Sequence, residues 1–194
     1  RDYATVIVDL ERVEIIDILD YRDQEKLIKY FQGKGTDWCA GIEVFCSDMW
    51  QGFLNTAKAV FPKATLVVDR FHFFSYLNKA LDNERKSLRR QFKGQEEFKR
   101  LKWALLKNAE DLTDDQKKKL AQAFKFAPHL KLLHEHKEKF RSILDQRLNR
   151  EQGEIALNRW IERAREMKNK HLNEFVSMLN AWKDYVLNYF VHRY

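Results

Sequence analysis

Proline and glycine are scarce, at two and six residues in a chain of 194. So little punctuation favours long uninterrupted helices. Cysteine is nearly absent as well. Cys39 and Cys46 form no CxxC pattern, which excludes a zinc knuckle, and two thiols are too few for a disulfide scaffold. A reducing cytosol suits that usage best, so a cytoplasmic location is expected. No apolar run approaches the roughly 18 residues of a membrane span, and no signal peptide opens the chain. There is no glycine-rich phosphate loop, no serine in a nucleophile elbow, no internal repeat and no low-complexity tract.

What is present describes a globular chain with room for a proper core and one or two domains. Hydrophobic residues make up 44% and charged residues 34%. The net charge is +7 and the pI about 9.3. A polyanionic partner follows from that balance, nucleic acid first, although mild basicity is also common among soluble proteins.

The first 75 residues differ from the rest. "YATVIVDL" alternates and is expected to bury Ala4, Val6, Val8 and Leu10 on one face of a strand. "VEIIDIL" follows at once, predicting an antiparallel hairpin around Glu11 and Arg12. "DQEKLIKYFQ" places Leu27, Ile28 and Phe31 on one helical face, and "GKGTDWCAG" reads as a loop. Then "IEVFC", "MWQGFLNTAKAVF" and "ATLVVD" read as strand, helix and strand, a βαβ unit with two parallel strands. From residue 71 onward the pattern is helical. "LTDDQ" predicts a capping box on Thr113 and Gln116, and Pro128 suits a first helical turn. Ile155 is expected largely inward, and residues 171–191 read as one last helix. Both ends read as cut, with nothing returning to the sheet.

Two acids stand out by position. Asp48 lies just past one expected parallel strand and Asp69 at the end of the next. Ligands of open α/β sheets gather outside the carboxyl ends of strands, where two acids can hold a hard cation such as Mg²⁺. Each Asp equally suits the cap of the helix that follows, a role worth about 1 kcal/mol. His72, three residues after Asp69, falls in a first helical turn, either bonded to nearby groups or half-buried among Phe71, Phe73 and Phe74. His134 and His136 point to different helix faces and read as surface residues; Cys46 and most of the five tryptophans read as core. The basic helix "NKALDNERKSLRRQFK" offers Lys79, Arg85, Lys86, Arg89, Arg90 and Lys93 to phosphates, or else presents a solvated face.

In order along the chain come "YATVIVDLE", "IEVFCSDMWQGF", "VVDRFH", "LLKNAEDLT", "WIERAR" and "LNYFVHRY". Together they resemble the transposases of bacterial insertion sequences in the ISL-three group, over essentially the whole chain. The resemblance implies an α/β, RNase H-like mixed sheet, partial here (residues 1–75), followed by a large all-helical insertion domain (residues 76–194). It implies DDE chemistry, the metal-dependent cleavage and strand transfer of transposon ends. Two Asp and one Glu hold two Mg²⁺ or Mn²⁺ ions in such enzymes, and Asp48 matches the second Asp, catalytic and metal-binding. "DRFH" resembles a D-x-x-H element in which Asp69 and His72 buttress the site without binding metal.

The same pattern puts the first Asp on a strand before "YATVIVDLE" and the Glu after "LNYFVHRY", both outside this chain. Asp9 is then no stand-in for the first, nor are Glu151, Glu154, Glu162, Glu166 and Glu174 for the second. The chain alone is expected to be inactive. Its implied partners are DNA, as terminal inverted repeats and target, and further copies of itself assembled on DNA. The rival expectations are a non-catalytic DNA-binding or protomer-interaction module, and a repair or recombination nuclease of the same fold.

Overall fold

A computed structural model describes residues 4–91 and 101–193. The chain divides into two compact units, one made of Arg1–Arg70 with Asp184–Tyr194, the other of Phe71–Lys183.

The first unit opens with the expected hairpin. Strands β1 (Thr5–Asp9) and β2 (Glu14–Leu19) pair antiparallel from Thr5↔Leu19 to Asp9↔Glu14, with an irregularity between Ile7 and Val8. Asp9 organises the turn. Its Oδ1 accepts from the backbone N–H groups of Glu11 and Arg12, both at 3.0 Å. That brace holds Val13 at a φ of 56°, a conformation costly for a β-branched residue. The buried face is the opposite of the one the alternation suggested. Thr5 and Ile7 turn inward, Thr5 donating its hydroxyl to the Tyr21 carbonyl at 2.6 Å, while Val6, Val8 and Leu10 are exposed.

Helix α1 (Gln24–Gln32) starts at Asp23, whose carboxylate accepts from Lys26 N–H, and buries Leu27 and Phe31. The glycine-bounded stretch read as a loop contains a short helix, α2 (Thr36–Ala40), entered through Gly35 at a φ of 95° that only glycine adopts freely. Strand β3 (Val44–Ser47), helix α3 (Gln51–Val60) and strand β4 (Thr65–Val68) form the βαβ unit. Its strands pair parallel from Val44↔Thr65 to Ser47↔Val68. The core under these elements gathers Leu19, Leu27, Phe31, Cys39, Ala57, Val60 and Phe61. Phe31 and Phe61 meet edge to face at 4.9 Å, a favoured aromatic geometry.

The chain does return to this unit. Asn188 donates its side-chain N–H to the Leu66 carbonyl at 2.9 Å, and Arg70 donates to the Tyr189 hydroxyl at 3.1 Å. The single last helix expected over 171–191 is two, α9 (Lys170–Ala181) and α10 (Lys183–Asn188), parted at Trp182.

The second unit is helical. Helix α4 (Arg70–Gln91) leads into α5 (Leu101–Leu106), a 3-10 turn at Ala109–Asp111, α6 (Asp114–Phe126), α7 (Pro128–Asp145), α8 (Arg150–Glu166) and α9. The capping box of Thr113 with Gln116 forms as expected, and Asn149 with Gln152 makes another. Phe140 on α7 is the hub: its ring meets Trp160 at 4.7 Å and Phe175 at 5.5 Å. Helix α7 is packed on more than one side, which corrects the surface reading of its histidines. His134 Nδ1 bonds the Leu105 carbonyl at 3.0 Å. His136 stacks on Trp160 at 4.3 Å, gives its Nε2 proton to the Trp160 carbonyl at 3.1 Å, and receives the Trp160 indole N–H on its own carbonyl at 2.9 Å. Ile155, expected largely inward, is exposed, which corrects that reading; Trp103, one of the five tryptophans, is exposed as well.

Candidate functional site

The carboxyl ends of β3 and β4 lie side by side. The Asp69 N–H donates to the Ser47 carbonyl at 2.9 Å, carrying the parallel ladder one step past the strands. Asp48 follows Ser47 directly and is half-buried. It does not cap α3, whose N-cap is Trp50. Instead its Oδ1 accepts the Trp50 N–H at 3.1 Å, which fixes the carboxylate against the turn.

The dominant partner of Asp48 is Arg22, just past β2. One nitrogen, Nη2, bonds both carboxylate oxygens, at 3.0 Å to Oδ1 and 2.8 Å to Oδ2. Aromatic rings hold the guanidinium there. Its carbon lies 4.7 Å from the Trp50 ring centre and 5.2 Å from that of Phe53, within cation–π range of both. Trp50 and Phe53 meet edge to face at 4.9 Å. Gly52 makes the arrangement possible, because a Cβ there would fall 2.3 Å from the Trp50 ring. In "SDMWQGF", then, the acid, the tryptophan, the glycine and the phenylalanine all serve one salt bridge.

A cleft of about 860 Å³ opens beside this pair. Residues of both small sheets line it, among them Val6, Val8, Val44, Cys46 and Asp48. Among the described residues, β1 pairs only with β2 and β3 only with β4, so each has an edge unused by a neighbouring strand. The Cys46 thiol on this wall is pushed up to about 12, by burial first and by the negative charge of Asp69 second, so it stays protonated and is no nucleophile.

Asp48 offers the hard oxygen donors that Mg²⁺ or Mn²⁺ takes. The donor type fits; the set is incomplete, because no three His, Cys, Asp or Glu side chains are placed to hold a metal ion among the described residues. Asp9 spends its carboxylate on the hairpin turn. Asp69 is half-buried at the end of β4, and His72 sits in the first turn of α4, partly buried, its ring edge to face with Phe71 at 5.7 Å.

The basic candidates divide on α4. Lys79, Lys86, Arg89 and Arg90 lie on this helix and all four are exposed. Arg85 is buried and bonded through Nε to Asp82 at 2.8 Å, which does not suit a phosphate contact; Lys93 lies outside the described residues. Burial works to raise the Asp82 carboxyl, but hydrogen bonds from Lys86 and Arg85 overcome it and leave it below the usual carboxylate range. Sequence reasoning missed Arg22, Trp50 and Gly52 as parts of the site. The clustered "DMWQGF" hinted at the last two, and nothing marked Arg22, 26 residues from its partner.

The profile of the DDE transposases of the ISL3 group, described as "Transposase", matches residues 1–194. The chain belongs to the ISL3 transposase family. The transposases for insertion sequence element IS1557 of two Mycobacterium tuberculosis strains, CDC 1551 / Oshkosh and ATCC 25618 / H37Rv, are each 28% identical to it. The alignment covers 82% of this chain and 41% of each relative, so the chain spans less than half the length of these relatives. No solved structure matches the chain significantly. No helix among its described residues is long and apolar enough to cross a membrane.

Proposed function

We propose that the full-length protein is a DDE transposase, cutting DNA at the ends of an insertion sequence and joining them to a target. Asp48 contributes one carboxylate of its metal site. The observation that carries this reading is the cleft. It lies between two sheet edges, and Asp48 is on its wall. A strand seated there, bonded to β1 on one side and β3 on the other, would merge the two sheets into one mixed sheet of RNase H type. An acid on that strand would stand beside Asp48 at the carboxyl end of β3. This is the place the family pattern gives to the first Asp.

A divalent metal bound by such a set supplies an activated water or 3′-hydroxyl and charge stabilisation of the leaving oxygen. The residues of this chain do the positioning. The Trp50 N–H fixes one oxygen of Asp48, and the neighbouring strand ends set its depth in the cleft. On this reading the companion acids come from the rest of the full-length protein, and the chain by itself is inactive. The lysines and arginines along α4 support a DNA contact by the helical unit, whose affinity would be strongly salt-dependent.

The test is cleavage and strand transfer by the full-length protein on a plasmid carrying the element's ends, with Mg²⁺ present. Asp48→Asn should abolish both reactions. Asp9→Asn, which keeps a side-chain oxygen for the hairpin turn, should leave both intact. Full activity in Asp48→Asn would remove it from the catalytic set.

A further inference from the structure

We propose that Arg22 is the resident cation of Asp48, and that a divalent ion engages this carboxylate through both oxygens only when the guanidinium withdraws. Arg22 is thus a positioning residue that sets the metal affinity of the site. The inference rests on the reading of Asp48 as a metal ligand.

The geometry points to it directly. A single nitrogen faces both oxygens, at 3.0 and 2.8 Å. An ion chelated by the same carboxylate would occupy the same sector at a shorter distance, about 2.0–2.1 Å for Mg²⁺. The two cannot share it. The Trp50 N–H already holds a further site on Oδ1. Charge argues the same way. With Arg22 in place the pair is neutral, and an arriving divalent ion meets a guanidinium at contact distance. With Arg22 withdrawn the ion meets an uncompensated carboxylate.

The arginine is not a loose surface partner. Its side chain is 24% exposed and that of Asp48 22%. Trp50 and Phe53 wall it in, and the indole rests where any side chain at position 52 would collide with it. Three residues of one short turn therefore favour the bracketed state. A planar guanidinium that brackets a carboxylate is also suited to a phosphate, so a DNA backbone is one ligand able to draw it away.

The experiment is Mn²⁺ titration of the full-length protein followed by electron paramagnetic resonance of the free ion. It compares wild type with Arg22→Gln, Arg22→Lys and Asp48→Asn, each checked for folding by thermal unfolding. Arg22→Gln should tighten the Asp48-dependent binding by about tenfold or more, the effect of removing one close positive charge. Arg22→Lys, which keeps the charge, should stay near wild type. If Arg22→Gln fails to fold, Gly52→Ala decides the matter: it displaces the indole, loosens the bracket, and should tighten Mn²⁺ as well. Unchanged or weaker binding in the folded variant overturns the proposal while leaving Asp48 a ligand. If Asp48→Asn binds Mn²⁺ as wild type does, the metal-ligand reading falls and this inference with it.

Discussion

His136 gives the second unit a measurable acid sensitivity. Its imidazole is buried against Trp160 and pushed down from 6.5 to about 4, by burial first, against the opposing hydrogen bond to the Trp160 carbonyl. A carbonyl can only accept, so Nε2 carries the proton and the ring is neutral. A depressed value means that the unfolded chain takes up a proton before the folded one does. The contribution is complete above the unfolded value, is lost as pH falls through that window, and levels off below the folded value. Between about pH 7.5 and about pH 4.5 this linkage amounts to roughly 2–3 kcal/mol. The perturbation is His136→Gln, which keeps a donor near the Trp160 carbonyl and does not titrate. The assay is urea denaturation of both proteins across that range. Wild type should lose roughly 2–3 kcal/mol more than the variant on acidification. His134, also shifted downward by burial, titrates in both proteins and cancels from the difference. Parallel stability curves for the two proteins would refute the burial of a neutral His136.

Asp82→Ala should destabilise the helical unit by about 3 kcal/mol in chemical denaturation, because it leaves the buried Arg85 without its carboxylate. Replacing Lys79, Lys86, Arg89 and Arg90 together by alanine should flatten the salt dependence of DNA binding by the full-length protein, by about 0.9 in logarithmic slope for each phosphate no longer neutralised. An unchanged slope would assign that face to solvent. Asp69→Ala and His72→Ala should each impair transposition in a cell-based mobility assay, and normal mobility in either would remove it from the supporting set.

Much of the first unit is legible in the sequence because its signals are local. Apolar runs bounded by glycine and aspartate mark β3 and β4, and Asp23 caps α1 where its periodic pattern starts. The face of β1 is not legible, because "TVIVD" is apolar on both sides and alternation alone cannot choose. The inward side is decided by Thr5 bonding the Tyr21 carbonyl and by Ile7 joining the core. The histidines of α7 mislead for a related reason. Two residues apart on a helix face different ways, which suggests solvent for at least one, but α7 is packed towards α5 on one side and α8 on the other. Lys137 between them is buried too, its ammonium held by the Leu105 and Leu106 carbonyls and by Glu138. The break at Trp182 is invisible because the apolar spacing runs straight through it. At the site, Asp48 is legible from its place past a parallel strand. Its salt bridge to Arg22 is not, since a pairing of distant segments leaves no periodic trace.

The most direct measurement is a Mn²⁺ anomalous-scattering map from crystals of the full-length protein bound to a DNA end. The account predicts a peak within bonding distance of the Asp48 carboxylate, with the Arg22 guanidinium moved off it. A metal peak at other acids, with Arg22 still bracketing Asp48, would contradict it and return the pair to a structural salt bridge.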